Sequence, residues 1–413
     1  MTDRHWPGVQ AILPIAGTAA VIAARQTDSR ITGNPIAHWI GVNSYSIYLW
    51  HWPVALLVMR EAPGNPIWSA VGVAASFALG HLSYRFVERA VLRKRGDGAR
   101  PTPQSRMVLA GGLVAALAAI ALLGRLVSAS DGWVSRYPPA VAQVARDAFA
   151  APDYPEGCFS VLGDVPRRCV IGRGSPALTL VGDSHAASAF GGVARAMAAV
   201  PGRSMVFNAY ASCPPLLGVS SLDPQSRCGA FNAAHVAPLA RPRTEPVLLV
   251  ADWQSYLDKP VVTFGGESSA RRFASEVRHT ACALARGGPT FIALPVPGFP
   301  WRVPFRLQSS LISGGQPAAD RLGIGVAEYH RSQGWAIAVL REAARQCGVG
   351  IVDPAQWLCR DGFCRASMGG RPFYYDRHHL TVFGSRETSP VYAPVVDAAR
   401  AVPAGAMPGR TVR

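Results

Sequence analysis

Lysine is nearly absent from this 413-residue chain: of its 41 basic residues, all but Lys94 and Lys259 are arginine. Acidic residues are scarce as well, 25 in all, which leaves a formal net charge of +16. Such an excess invites a nucleic-acid partner. The arginines are dispersed, however, with no basic helix and no stripe of aromatics between cations, so no nucleic-acid partner is expected. Codon bias together with cytoplasmic membrane anchors accounts for the charge more simply. Cysteine is missing from the first 157 residues; Cys158, Cys169, Cys213, Cys228, Cys282, Cys347, Cys359 and Cys364 all follow. No Cys-x-x-Cys pair occurs, which removes the usual zinc spacing. An even set confined to one region reads as disulfides made in an oxidising compartment. Proximity pairs Cys158–Cys169, Cys213–Cys228 and Cys359–Cys364, and elimination leaves Cys282–Cys347. A signal peptide is lacking too: Met1–Pro7 is polar and has no apolar core or cleavage site.

What the chain does have is grease at one end. Overall 49% of residues are hydrophobic and 16% charged, an average of two unlike parts. Residues 8–24, 38–59, 66–84 and 107–123 are four apolar stretches, each long enough or nearly so to cross a bilayer. The second is ringed with Trp and Tyr, as interfacial segments are. Four in succession favour membrane insertion over soluble core helices. Arg25 and Arg30 lie between the first two segments; Arg93, Lys94, Arg95, Arg100 and Arg106 crowd the link between the last two. By the positive-inside rule both links are cytoplasmic, so everything after about residue 128 is delivered outside. The cysteines demand the same compartment. The count also puts Met1 outside, an arrangement expected of the middle of a longer membrane protein rather than its start.

Residues 129–153 read as a Pro/Ala-bearing linker, 154–402 as one domain and 403–413 as a loose tail. Within the domain short apolar runs (177–182, 204–209, 246–251, 290–295, 349–353) alternate with helical stretches (186–200, 229–240, 267–286, 326–346). That alternation predicts a parallel sheet with helices on both faces. Sites in such sheets lie at the carboxyl ends of strands. Gly182-Asp183-Ser184 falls where the first of these strands ends and a helix begins. There Ser184 is placed as a nucleophile, and its backbone amide as an oxyanion donor. An N-capping serine is the plainer alternative. Near the other end of the domain, in "YYDRHHLTVFGS", Asp376 precedes His379 by three residues. A serine needs a base, and the base a partner that fixes its tautomer; one short loop supplies both. His378 is the competing base. His379 is favoured because it directly precedes Leu380-Thr381, which docks and starts the closing helix.

At this point the chain resembles the Ser-Gly-Asn-His (SGNH) hydrolase superfamily, through Gly-Asp-Ser-His at 182–185 and Asp-x-x-His-Leu at 376–380. "SCPPL" (212–216), "CGAFN" (228–232) and "VLLVADW" (247–253) resemble, more narrowly, the SGNH domain fused to membrane acyltransferases. "GVNSYSIYLWHWPV" (41–54) and "LSYRFVERAVLR" (82–93) look like the last core helices of the transmembrane type-three acyltransferase family, and 7–22 fits the helix before them. The resemblance implies residues 1–128 as the end of a membrane acyltransferase domain, followed by an SGNH-type doubly wound α/β domain. It implies an O-acyltransferase that modifies glycans outside the cytoplasm. The acyl group, usually acetyl from acetyl-CoA, is passed across the bilayer by the membrane part. No resident cofactor or metal ion is expected. Ser184 would carry the acyl group, His379 shuttle the proton and Asp376 orient the imidazole.

Two departures stand out. The family's proposed catalytic histidine and arginine motif belong to earlier helices that this sequence does not contain, so the donor step calls for upstream membrane helices as a partner; His51 reads as an aromatic-belt residue, not a substitute. Ala251-Asp252-Trp253 stands where the superfamily has an oxyanion Gly-x-Asn, leaving Asn208 and Asn232 as weaker candidate donors. A carbohydrate esterase is the alternative enzyme, since the same triad serves hydrolysis. An idle glycan-binding remnant is the third reading; a missing Ser, His or Asp would have favoured it.

Overall fold

The computed structural model describes residues 12–24, 29, 33–61, 65–89, 103–130, 135, 137–258, 261–266 and 268–403. The chain divides into two units, residues 1–123 and 124–413. In the first, the apolar stretches form helices α1 (Ile12–Ala24), α2 (Pro35–Glu61), α3 (Pro66–Ser83) and α4 (Pro103–Ala129), the last carrying the chain into the second unit. Asn65 caps α3, accepting from the amides of Ile67 and Trp68. A π-helical turn, Tyr84–Glu88, prolongs it. α2 and α3 pack through small residues: a Cβ at Gly80 would lie 2.8 Å from the Ile47 backbone. Polar groups line that seam. His81 Nδ1 meets Asn43 Oδ1 at 3.1 Å, and the Ser46 hydroxyl donates to Glu88. Large apolar side chains such as Leu13, Leu57, Ile67 and Leu122 face outward instead. Among the described residues one helical run, Pro66–Glu88, is long and apolar enough to cross a membrane; Ile12–Ala24 and Leu117–Ala129 are shorter apolar helices. The four spans expected from the sequence are therefore met in full by one. Arg25, Arg30, Lys94, Lys259, the charges between Arg93 and Arg100, Met1–Pro7 and most of the expected tail lie outside the described residues.

The second unit opens with a helix where the sequence suggested a linker. Pro138-Pro139 starts α5 (Pro139–Ala148), whose Val141, Ala142 and Val144 are buried. Its Asp147 takes a two-pronged contact from Arg371 at 2.7 and 2.8 Å. Seven strands follow: β1 (Phe159–Ser160), β2 (Cys169–Gly172), β3 (Pro176–Gly182), β4 (Ser204–Tyr210), β5 (Val247–Val250), β6 (Thr290–Ala293) and β7 (Gly350–Val352). They form one sheet in the order β1-β4-β3-β5-β6-β7, all parallel, with β2 added antiparallel along β4. The five strands expected from the sequence form one contiguous run in it, β4-β3-β5-β6-β7, which includes the edge strand β7.

Alternation along each strand divides the core in two. Leu178 and Leu180 of β3, with Leu248 and Val250 of β5, pack on one face with Phe190 and Val193 of α6 (Ser184–Met197). Val181, Val247, Leu249 and Ile292 point to the other. There they meet Phe231 of α7 (Cys228–His235), Val277 and Leu284 of α8 (Ala270–Gly287), and Leu340 of α10 (Val326–Cys347). Strands buried on both faces read as unbroken apolar runs, and "LTLVG" and "VLLV" do so. Between β6 and α10 lies α9 (Val303–Asp320), which the sequence reading left out; Pro317 and the left-handed Gly315 (φ 61°) break its period. α11 (Val382–Glu387) and α12 (Ala393–Arg400) close the unit.

Four disulfides join Cys158–Cys169, Cys213–Cys228, Cys282–Cys347 and Cys359–Cys364, and no described cysteine is free. Cys282–Cys347 fastens α8 to α10, and Cys158–Cys169 binds β2 to the end of the loop entering β1.

Candidate active site

β3 ends in a glycine because nothing larger fits: a Cβ at Gly182 would lie 1.7 Å from the Val250 carbonyl oxygen. The chain then turns through Asp183, the N-cap of α6, whose Oδ1 accepts from the His185 amide at 2.7 Å. That leaves Ser184 as the first residue of the helix, at its positive end, with an N–H that has no acceptor inside the helix. The Asp376 loop approaches from the far end of the unit. It is pinched by a bridge between Tyr374 and Leu380 and by the Tyr375 amide donating to the His379 carbonyl at 3.0 Å. Amides of Phe299 and Val303 hold the carbonyls of Arg377 and Asp376 from outside, each at 2.9 Å. Thr381 then caps α11, accepting from Gly384 N–H at 2.9 Å while Leu380 is buried beside it. α11 docks on α6 through Ser385 Oγ, which accepts from the Gly192 amide at 2.7 Å. Residues nearly 200 apart in sequence thereby meet.

Ser184 Oγ stands 2.8 Å from His379 Nε2, and His379 Nδ1 stands 2.7 Å from Asp376 Oδ2. Asp376 Oδ1 accepts from the amides of His378 and His379 at 2.9 and 2.8 Å. A carboxylate at Nδ1 selects the tautomer that carries its proton there, so Nε2 is free to accept from the serine hydroxyl. Burial works against a charge on Asp376, but the His379 hydrogen bond, the imidazole and two amides outweigh it and hold this carboxyl well below its usual range. Burial likewise opposes charge on His379, yet the bond and charge of Asp376 raise its pKa above the ordinary value. The Tyr375 ring stacks flat on the imidazole, centroids 5.2 Å apart. The group is a hydroxyl, a base and an orienting anion in line, able to take a serine proton and return it.

His378, the competing base, turns elsewhere: its Nδ1 meets His185 Nε2 at 2.9 Å. The two asparagines suggested as oxyanion donors are committed to the scaffold. Asn208 donates to the Arg167 carbonyl, and Asn232 to that of Pro214 at 3.0 Å; among the described contacts neither amide bonds to Ser184. A buried strand residue and a residue on α7 thus each satisfy their amide on a nearby loop carbonyl.

The sequence reading missed the support beneath the serine. Asp183 is 1% exposed. Its Oδ2 accepts from the Asp252 amide at 2.9 Å and from the Tyr256 hydroxyl at 2.5 Å. Burial pushes its carboxyl up to about 6 against the pull of the Tyr256 bond. His185, buried beside it, is held well below the usual imidazole range by desolvation and by the neighbouring imidazoles. Asp183 and Asp252 end adjacent strands, a position legible in the sequence; Tyr256, four residues further on, carries no such signal.

A family model described as "SGNH domain (fused to AT3 domains)" matches residues 153–394. Over 89 residues, 21% of this chain, the sequence is 38% identical to "Peptidoglycan O-acetyltransferase OatA" of Listeria monocytogenes, and the match covers 14% of that protein. The chain therefore spans about a seventh of the length of that relative. A solved structure, the periplasmic domain of a Salmonella Paratyphi A lipopolysaccharide acetyltransferase, aligns with 59% of this chain and 92% of its own at 17% identity and a TM-score of 0.44.

Proposed function

Because the chain belongs to the family of SGNH domains fused to AT3 domains, we propose that it is a membrane-bound O-acyltransferase that places acetyl groups on hydroxyls of a cell-surface glycan. The observation that carries this is the continuous Ser184–His379–Asp376 relay at 2.8 and 2.7 Å. Ser184 Oγ attacks the acyl carbonyl while its proton passes to His379 Nε2; the leaving group departs with that proton. In the second half an acceptor hydroxyl gives its proton to His379 and its oxygen takes the acyl carbon, restoring the serine. Asp376 keeps the ring oriented and steadies the imidazolium, and the Ser184 amide faces the developing oxyanion. The relative's name, a peptidoglycan O-acetyltransferase, supports a wall or surface glycan as acceptor. Acetyl-CoA is the proposed first donor, its acetyl group reaching Ser184 through membrane helices upstream of those in this chain.

The four disulfides support an extracytoplasmic place for residues 129–413. Four spans are proposed for the first unit; the seam between α2 and α3, where Asn43, Ser46, Ser76 and Gly80 are buried while Leu57 and Ile67 face outward, supports two of them as lipid-facing helices packed on each other. The test is a fluorophosphonate probe on the full chain in detergent, followed by transfer from an activated acetyl ester to a glycan fragment. Labelling at Ser184 that is lost in Ser184→Ala, together with acetylated glycan, is expected. Acetate release without acetylated glycan would make it an esterase, and an unlabelled Ser184 would end the reading.

A further inference from the structure

Three donor atoms that the proposed relay does not use converge beside it. His185 Nε2 lies 2.9 Å from His378 Nδ1, and Asp252 Oδ2 lies 3.6 Å from each of those nitrogens. The two imidazoles share a hydrogen bond at 2.9 Å, while the carboxylate is too far from either ring for a good one. The spacing of the three atoms also suits a shared ion. Ligands held about 2.0–2.1 Å from a tetrahedral zinc stand about 3.3–3.4 Å apart. The three separations straddle that value and need shifts of only a few tenths of an ångström. We propose that His185, His378 and Asp252 form a binding site for a divalent transition cation of the zinc class, with the fourth position open to a water or hydroxyl oxygen.

Two imidazoles and one carboxylate are a donor set suited to such an ion. The backbone of each ligand is held by other bonds. His185 stands in the first turn of α6. Asp252 is held by its amide on Asp183 and by Ser255 Oγ donating to its carbonyl at 2.8 Å. The His378 amide is held by Asp376. His379 belongs to the same cluster of histidines, but Asp376 and Ser184 occupy both its nitrogens. The carboxylate of Asp252 therefore completes the set. His378 is 39% exposed against 5% for His185, which gives an ion a way in from one side. A bound cation would stand one imidazole away from the proposed base, since the His378 and His379 ring centroids are 4.3 Å apart.

The test is zinc binding by the full chain in detergent, measured by calorimetry after chelator treatment, with cobalt(II) as a visible-absorption reporter of tetrahedral coordination. One ion per chain is expected. His378→Ala, His378→Gln and Asp252→Asn should each weaken zinc by at least about 100-fold, because losing even a group behind a ligand costs about 10–100-fold. His379→Ala and Ser184→Ala should bind within about threefold of the parent. Retention of the thermal transition in His378→Gln separates a lost ligand from a lost fold. No stoichiometric zinc, cobalt without tetrahedral bands, or a loss in His379→Ala equal to that in His378→Ala would overturn the site.

Discussion

Replacing Tyr256 by phenylalanine removes one oxygen from beneath the proposed nucleophile and leaves the packing volume unchanged. That hydroxyl donates to Asp183 Oδ2 at 2.5 Å, with both groups buried. A hydrogen bond to a charged partner contributes about 1.5–3 kcal/mol, and one between neutral partners nearer 1. Which of these is lost depends on the charge of Asp183. Its folded pKa, about 6, is raised above the ordinary aspartate value of about 3.9, so the native state holds this proton more tightly than the unfolded chain. Stability consequently falls as pH rises from about 4 to 6, by about 3 kcal/mol, and is flat beyond. The Tyr256 bond is among the influences that hold the pKa down, so Tyr256→Phe extends the falling window above pH 6. At pH 5 Asp183 is protonated in both proteins and the substitution should cost about 1 kcal/mol. At pH 8 it should cost about 1.5–3 kcal/mol, which appears as a melting transition several degrees lower. The assay is thermal melting of the full chain at both pH values, followed by tryptophan fluorescence. A cost independent of pH, or greater at pH 5 than at pH 8, would refute the assignment of a buried, titrating Asp183 under Ser184.

Three further outcomes follow from the same geometry. Asp376→Asn presents an N–H to His379 Nδ1 and favours the tautomer with Nε2–H facing the serine; labelling of Ser184 by a fluorophosphonate should fall about 10³–10⁴-fold with the fold intact, and a tenfold effect or less would contradict the relay. Because Asp376 raises the His379 pKa and only neutral imidazole accepts a proton, parental labelling should be lost as pH falls through a value above the ordinary 6.5, and Asp376→Ala should move that limb to lower pH; an unmoved limb would clear Asp376 of the role. Opening Cys282–Cys347 with paired serines frees a loop of sequence separation 65, against 5 for Cys359–Cys364. Chain entropy then assigns losses of about 4 and about 2 kcal/mol, and equal melting shifts for the two double variants would refute that ordering.

The run of strands from β4 to β7 was legible because parallel strands buried in a sheet leave unbroken apolar runs, and helices between them keep their own period. The strands on the outer side of β4 were not. β1 is two residues long, and β2 runs against its neighbour with Val170 exposed, so neither presents a long run. α9 was hidden by "GGQP", which breaks a helical pattern at Gly315 and Pro317. α5 was hidden by its prolines, which suggest a linker but also start helices. The three side chains that meet, Ser184, His379 and Asp376, could be read as a group because each sits at a turn with a recognisable start: a strand end before Ser184, a capped helix after His379. The bonds of the two candidate asparagines could not. A buried asparagine looks the same in sequence whether its amide faces a substrate or, as with Asn208 and Asn232, a loop carbonyl.

The choice between His378 and His379 has a physical source, and it explains why each imidazole finds its own partner. Successive residues in the first turn of a helix point about 100° apart. Ser184 and His185 therefore look in different directions, and the loop opposite offers two consecutive imidazoles to meet them. His379 goes to Ser184 and His378 to His185. Each strand end contributes in the same divided way: Asp183 turns its carboxylate inward to hold the turn, while Asp252 offers its amide to Asp183 and its carboxylate to the histidine pair. A slip of one residue in either loop would exchange the partners, placing His378 on the serine without Asp376 at its Nδ1. The carboxylate that fixes the register is Asp376 itself, whose Oδ1 holds the amides of both histidines while Oδ2 takes only the His379 ring. One side chain thus decides which imidazole faces Ser184 and which is left to the second cluster.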